Sequence, residues 1–477
     1  MGLSSTLSNA LGGMNASQRG IDVVSRNIAN QGTPGYHRQS LVIQETAFGT
    51  SAQVRATTLS RAFNEALEKQ HLVAVSSAGY SHVRASYLDR LQMHLGKPGD
   101  ANSLDTLYSG FENALQSLVT NPNDVTTRAA VINSAQQLVE QLNTLNGAVS
   151  EMRRETELQI GNAVSELNRQ LNQLSDINVR ILDLSQDQQA RLSLMDERDR
   201  LVASISEQVD VRASYRADGT VALMTESGVG ILDVEPSQFE FNAAGPMADS
   251  SSAVGQLTLR TPSGLQMDMK PLLSSGSIAG LMELRDNTLV NMSDQLDEIA
   301  SGLALALNSD DASGLELDLF VDGATGTYDE ADKTGFAGRI RVNEDIISDS
   351  TLLVKYASDT SLGDPARPQF LLDRLKTMEF VSDKVTSVAD GGVRLSGKVG
   401  EIIGQMINHQ GNVVAKAQSE NSAVGYTLES ITTRMGAEYG VNVDEEMARL
   451  MQLQNAYSAS ARVVSTVQEL IDALLRM

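Results

Sequence analysis

The final thirty residues carry a repeat that few folds can satisfy. After Met447, Leu450, Tyr457, Val464 and Ile471 recur every seven residues, and Leu453, Ser460, Val467 and Leu474 fill the interleaved position. Seven of these eight are apolar, the residues between them are mostly Gln, Asn, Ser, Glu and Arg, and no Gly or Pro interrupts the run. The pattern predicts one long helix with a single narrow seam. Such a seam buries too little to order its own backbone, so the helix needs a partner.

The start of the chain repeats the pattern. Leu7, Met14, Ile21 and Ile28 recur at sevens, with Ala10, Ser17 and Val24 between them. Helices packed on a compact core would show a broader stripe. The two ends are therefore expected to pair as a coiled coil outside the core. Tyr457 is expected to be buried in that seam, and Met447 and Met451 to serve as packing.

The first helix, from about Ser4 to Ala29, ends at Asn30-Gln31-Gly32-Thr33-Pro34-Gly35-Tyr36, where Asn and Gly supply left-handed backbone and Pro34 cannot continue a helix. Residues 37–58 read as a hairpin. Helical spacing then dominates near 61–95, 104–119, 125–184 and 190–208. In the third of these, Val131, Ala135, Leu138, Leu142, Leu145, Val149 and Met152 keep three/four spacing, which Ile160, Val164, Leu167, Leu171 and Leu174 resume after a shift of phase. Sixty helical residues would reach roughly 90 Å, a rod that resists bending.

Short apolar runs broken by Ala217-Asp218-Gly219, Ser227-Gly228 and Ala244-Gly245-Pro246 predict hairpins in 209–270. Residues 309–369 are rich in Asp, Gly, Ser and Thr, with strands expected at 315–321, 338–342 and 352–356. Helix resumes near 370–378 and from 383 to the end, with breaks at Gly391-Gly392 and from Met435 to Val441. The fold class is mainly α with a small β insert (α+β), an elongated multi-helix bundle. Four parts are expected: a terminal coiled-coil assembly domain of 1–58 with 420–477; a helical rod of 59–208 with 271–308 and 370–419; a β domain of 209–270; and a loop-rich insert at 309–369.

Composition narrows the function. A net charge of −23, the absence of any Lys/Arg run, and only ten Tyr, nine Phe and no Trp argue against nucleic acid and anionic membranes as partners. The absence of cysteine removes disulfides, thiolate metal sites and thiol nucleophiles. No run approaches eighteen apolar residues, and the N-terminus lacks a basic segment followed by an apolar block, so insertion in a membrane and a cleaved signal peptide are not expected.

Two motifs resemble those of the bacterial flagellar rod, hook and junction proteins: Asn30 to Tyr36 with the Ala29 before it, and Gly440-Val441-Asn442-Val443-Asp444-Glu445-Glu446-Met447. Two interior motifs, Leu194-Met195-Asp196-Glu197-Arg198-Asp199-Arg200-Leu201-Val202 and Leu272 to Leu281, resemble the hook-associated branch of that family. The region 210–370 is short beside the outer domains of some relatives. The resemblance implies a non-enzymatic junction subunit whose terminal helices line the inner tube of a ring. Its partners would be copies of itself, the hook protein, the next junction protein, and an export chaperone holding the C-terminal helix. It would lie outside the cell. A hook or distal rod protein, or an intracellular coiled-coil scaffold, is the alternative.

Competing chemistry is thin, and no cofactor is expected. Gly392 to Lys398 has the glycine and lysine spacing of a phosphate loop, but Val399 stands where the Mg²⁺-binding hydroxyl belongs. His37, His71, His82, His94 and His409 show no paired metal-ligand spacing and read as solvated. Asp310, Asp311, Asp318, Asp322 and Asp329 lack the regular ligand order of a calcium loop. No Gly-x-Ser-x-Gly elbow is present.

Overall fold

The computed structural model describes residues 3–48, 51–184, 187–245, 247, 249–308, 314–381 and 395–476, with side chains other than those of 43–57. In chain order, helix α1 (Leu3–Ala29) leads into a hairpin of β1 (Gln39–Phe48) and β2 (Ser51–Arg61). Helices α2 (Glu65–Leu95), α3 (Leu104–Thr120), α4 (Val125–Asp183) and α5 (Gln188–Gln208) follow.

Two antiparallel three-stranded sheets come next, β3 (Val211–Tyr215), β4 (Val221–Thr225) and β5 (Gly230–Leu232), then β6 (Gln238–Asn242), β7 (Gln256–Arg260) and β8 (Gln266–Asp268). Helices α6 (Ser277–Glu283) and α7 (Leu289–Leu307) flank a π turn, Leu284–Thr288. Beyond them lie β9 (Phe320–Asp322), α8 (Phe336–Arg339), β10 (Ile340–Val342), α9 (Glu344–Ser348), α10 (Ala366–Thr377), β11 (Phe380–Val381) and β12 (Ser396–Gly397). Helices α11 (Val399–Tyr439) and α12 (Val443–Leu475) close the chain.

The fold is mainly α with small sheets. One apolar core runs through α2 to α11 and takes in both three-stranded sheets. No described residue of α1 or α12 belongs to it. Helix α4 is its spine. Asp124 caps the start by accepting from Thr126 N, and the predicted apolar rows from Val131 to Met152 and from Ile160 to Leu174 are all buried.

The shift of phase between those rows has a physical cause. There the helix buries Arg153, Thr156 and Glu157 instead of apolar residues. Arg285 of the π turn donates to Glu157 at 2.5 Å and to Asp286 at 2.7 Å, and the other Glu157 oxygen accepts from Ala244 N and Gly255 N. A polar clamp thus ties the rod to the second sheet and to the α6–α7 junction.

Several expectations need correcting. Residues 350–353 form a 3₁₀ turn rather than a strand at 352–356, and of the strands expected nearby β9 and β10 form, pairing antiparallel. Residues 395–398 are not helical, helix α11 begins at Val399, and it runs unbroken to Tyr439 through the break expected at Met435. The helix expected from 383 falls, up to 394, on residues outside those described. Gly391-Gly392 falls outside the described residues.

Candidate assembly surface

Helices α1 and α12 pack against each other along their length, and the glycines of α1 reveal how. A Cβ at Gly13 would lie 3.2 Å from Ser460 Oγ, and one at Gly20 would lie 2.9 Å from Leu453 Cδ2. One further heptad on, Asn27 Nδ2 donates to Glu446 Oε2 at 3.2 Å. Each step of seven along α1 matches a step of seven backwards along α12. The pair is antiparallel, and small residues let the helices approach closely.

This changes which residues face inward. Buried on α1 are Ala10, Ala16, Ser17, Gly20, Val23, Val24 and Asn27. Leu7, Met14, Ile21 and Ile28 lie on the flank of the contact and remain partly exposed. On α12 only Glu446 and Val467 are buried. Leu450, Leu453, Ser460, Val464 and Ile471 are partly exposed. Tyr457, expected in the core, is 37% exposed, and Leu474 is 61% exposed. Met447 and Met451, expected to pack, stand at 43% and 57%. The helix pair therefore carries a large open apolar surface.

The turn after α1 is built by its own motif. Thr33 N donates to Asn30 O and Tyr36 N to Thr33 O. Gly35 has φ +72°, and a Cβ there would meet Arg200 Cγ at 2.6 Å, so glycine is required twice over. Arg200 donates to Pro34 O at 3.1 Å. Asn27 anchors the turn from the helix side. Its Oδ1 accepts from Tyr36 Oη at 2.8 Å and from Gln39 N at 3.0 Å, while its Nδ2 donates to Gln39 O at 2.8 Å. Burial, with Asp196 nearby, pushes the Tyr36 phenol up to about 12.

The C-terminal motif has an equally local reason. Asn442 caps α12 by accepting from Asp444 N, and Asp444, Glu445 and Glu446 fill the first turn, where the helix dipole favours negative charge.

Both chain passages between this pair and the core meet at one buried cluster. His37 Nδ1 lies 2.9 Å from Asp196, and Arg61 donates to Asp196 at 2.9 Å and to Asp199 at 2.6 Å. Arg198 forks onto Asp199 at 2.9 and 2.7 Å and lies over the Tyr215 ring. Tyr439, at the end of α11, lies tilted against the His37 ring with centroids 4.7 Å apart; its Oη donates to Asn64 O, and its carbonyl accepts from Arg38 N. Burial pulls Arg61 down, but the two carboxylates outweigh it and hold the guanidinium above its ordinary value. Sequence reasoning missed this site. His37, expected to be solvated, is 4% exposed, and the charged motif from Asp196 to Asp199 supplies three buried ionic groups. The one available signal was the density of Asp and Arg in an otherwise helical stretch.

Several residues of the competing motifs are engaged in local structure. Val399 is buried, Lys398 stands at the N-cap position of α11 with its backbone N donating to Glu401 Oε2 at 3.2 Å, and Gly392 lies outside the described residues. Asp322 accepts from Arg339 and Asp329 caps a 3₁₀ turn, while Asp310 and Asp311 are not described. Among the described residues no group of three His, Asp or Glu is placed to hold a metal ion, and no helix is long and apolar enough to cross a membrane.

Residues 88–327, half the chain, match the flagellar hook-associated protein FlgK helical domain. The chain belongs to the FlgK family. Its ends match two further flagellar families: residues 7–37 the flagella basal body rod protein, and residues 438–477 the C-terminal part of the flagellar basal body rod FlgEFG protein. FlgK-family relatives include flagellar hook-associated protein 1 of Bacillus subtilis (strain 168), 24% identical over 509 residues with 98% of this chain and 97% of that one covered. The protein of the same name from Escherichia coli (strain K12) is 22% identical over 558 residues, with both chains covered in full. The solved structure of the flagellar hook junction protein FlgK from Burkholderia pseudomallei is 21% identical and covers 55% of this chain and 45% of its own, with a TM-score of 0.43.

Proposed function

We propose that this FlgK-family chain is a non-enzymatic subunit of the ring that joins the flagellar hook to the filament. The α1–α12 pair is its assembly element. The apolar surface on that pair carries the reading: Leu7, Met14, Ile21 and Ile28 on one helix and Leu450, Val464 and Ile471 on the other are only partly covered by the chain itself, and Tyr457 and Leu474 stand exposed. Burying such surfaces is the main driving force of association. Neighbouring copies, the hook protein and the next junction protein would cover them in the ring, and an export chaperone would cover α12 beforehand. The protein would act outside the cell. The terminal helices would gain order as neighbours close over them. Residues 1–58 with 420–477 form the assembly part in this reading, and the α2–α11 body supplies stiffness.

The test is complementation of a flagellated strain lacking its own copy. Wild-type protein should appear outside the cell and restore filaments on hooks. Filaments growing equally well without it, or protein retained in the cytoplasm, would end the proposal.

A further inference from the structure

A groove between α2 and the outer edge of β3 plays no part in the assembly reading. It encloses about 630 Å³, within the range of ligand clefts. Its apolar lining includes Leu72 and Val73 of α2 and Val211, Ala213 and Met224 of the first sheet. Strand β3 is the outer strand of that sheet, and among the described residues its backbone bonds to β4 and to no other backbone. An open strand edge is a template for another extended chain.

Two buried polar atoms in residues lining this groove have no hydrogen-bond partner: Asp210 Oδ1 and Ser76 Oγ, in residues only 9% and 2% exposed. The other Asp210 oxygen already accepts from Ser274 N and Oγ, at 3.2 and 2.7 Å. The nearby cations are engaged elsewhere, Lys69 with Glu65 at 2.7 Å and Arg212 with Glu226. The groove thus combines a free strand edge, an apolar floor and a buried acceptor that calls for a cationic donor.

We propose that this groove binds an extended basic segment of another protein, which adds along β3 and directs a Lys or Arg side chain at Asp210. The source is another protein because this chain is acidic, at −23 net, and has no Lys/Arg run to offer from a second copy. Main-chain pairing would supply affinity, and the charge at Asp210 would select the sequence.

The probe is a fluorescently labelled short peptide alternating valine and lysine, titrated into the full-length protein. Saturable binding is expected, with new amide-exchange protection at 211–215. Methylating alternate backbone nitrogens of the peptide should abolish binding, since it removes the strand's donors. Replacing its lysines by glutamates should also abolish binding. Asp210→Asn should weaken it about tenfold. Equal binding of the methylated peptide would reduce the effect to attraction by an acidic surface and overturn the proposal. Protection away from β3 would do the same, as would unchanged affinity in folded Asp210→Asn. Concentration-dependent self-association protecting 211–215 in the absence of peptide would assign the groove to a second copy instead.

Discussion

Gly20 of α1 lies against the side chain of Leu453 of α12, with the glycine's missing Cβ directed 2.9 Å from the leucine Cδ2. That contact sets the antiparallel register of the pair, because Gly13 with Ser460 and Asn27 with Glu446 fall one heptad to either side. The chain has no cysteine of its own, so engineered thiols report directly on this register. Gly13→Cys combined with Ser460→Cys should form an intramolecular disulfide under mild oxidation, seen as a shift on a non-reducing gel. Gly13→Cys combined with Met447→Cys should not. The reverse result would mean that the helices run parallel.

Val464→Asp and Ile21→Asp should each prevent ring assembly, since a charge would enter a surface that neighbours dry out. Both side chains are partly exposed in the single chain and lie outside the main core. Circular dichroism of the isolated variants should therefore lose little helix. Global unfolding of either would place the terminal pair inside the core.

Asn27→Ala removes four hydrogen bonds, to Tyr36, Glu446 and both backbone groups of Gln39. The groups left behind are largely buried, so a loss of roughly 3 kcal/mol is expected, concentrated in the terminal pair. Amide exchange should accelerate in α1 and the first turns of α12 while α4 stays protected. Uniform acceleration would contradict this local role.

Asp199→Ala leaves Arg61 and Arg198 buried without their shared carboxylate. The cost of breaking such a pair from one side is about 3–5 kcal/mol, readable as a lower urea midpoint. Asp199→Asn, which keeps the acceptor oxygen but not the charge, should fall between that variant and wild type.

Alkaline pH should loosen the junction. Tyr36 and Tyr439 are each pushed up to about 12, chiefly by burial, against 10.0 for a free phenol. The unfolded chain loses these protons first, so the stability they confer is intact below pH 10 and disappears as pH climbs towards 12. Phenolate absorbance and melting temperature followed together should change over that window. Tyr439→Phe should reduce the slope, and an unchanged slope in Tyr36→Phe and Tyr439→Phe together would refute the assignment.

The long helices, both β regions and the pairing of the chain ends are all legible in the residues, because periodic burial of large apolar side chains is a strong signal. The facing of α1 is not. Its contact with α12 runs through Gly13, Gly20 and Asn27, and small or polar residues add almost nothing to a hydrophobic repeat. The larger row of Leu7, Met14, Ile21 and Ile28 stands out in the sequence yet lies beside the contact. The cluster of His37, Arg61, Asp196 and Asp199 was hidden for another reason. Its members come from three separate parts of the chain, and a run such as Asp196 to Arg200 looks like a solvated face until the fold brings its partners over it.

The chain crosses between the core and the helix pair twice, once near His37 and once at Tyr439, and the two crossings touch. Any tension on the pair is therefore shared by two lengths of polypeptide lying side by side. Both are anchored in the same knot of ionic and ring contacts. A load on the ends thus reaches the body of the protein through neighbouring strands of one knot rather than through two distant attachments.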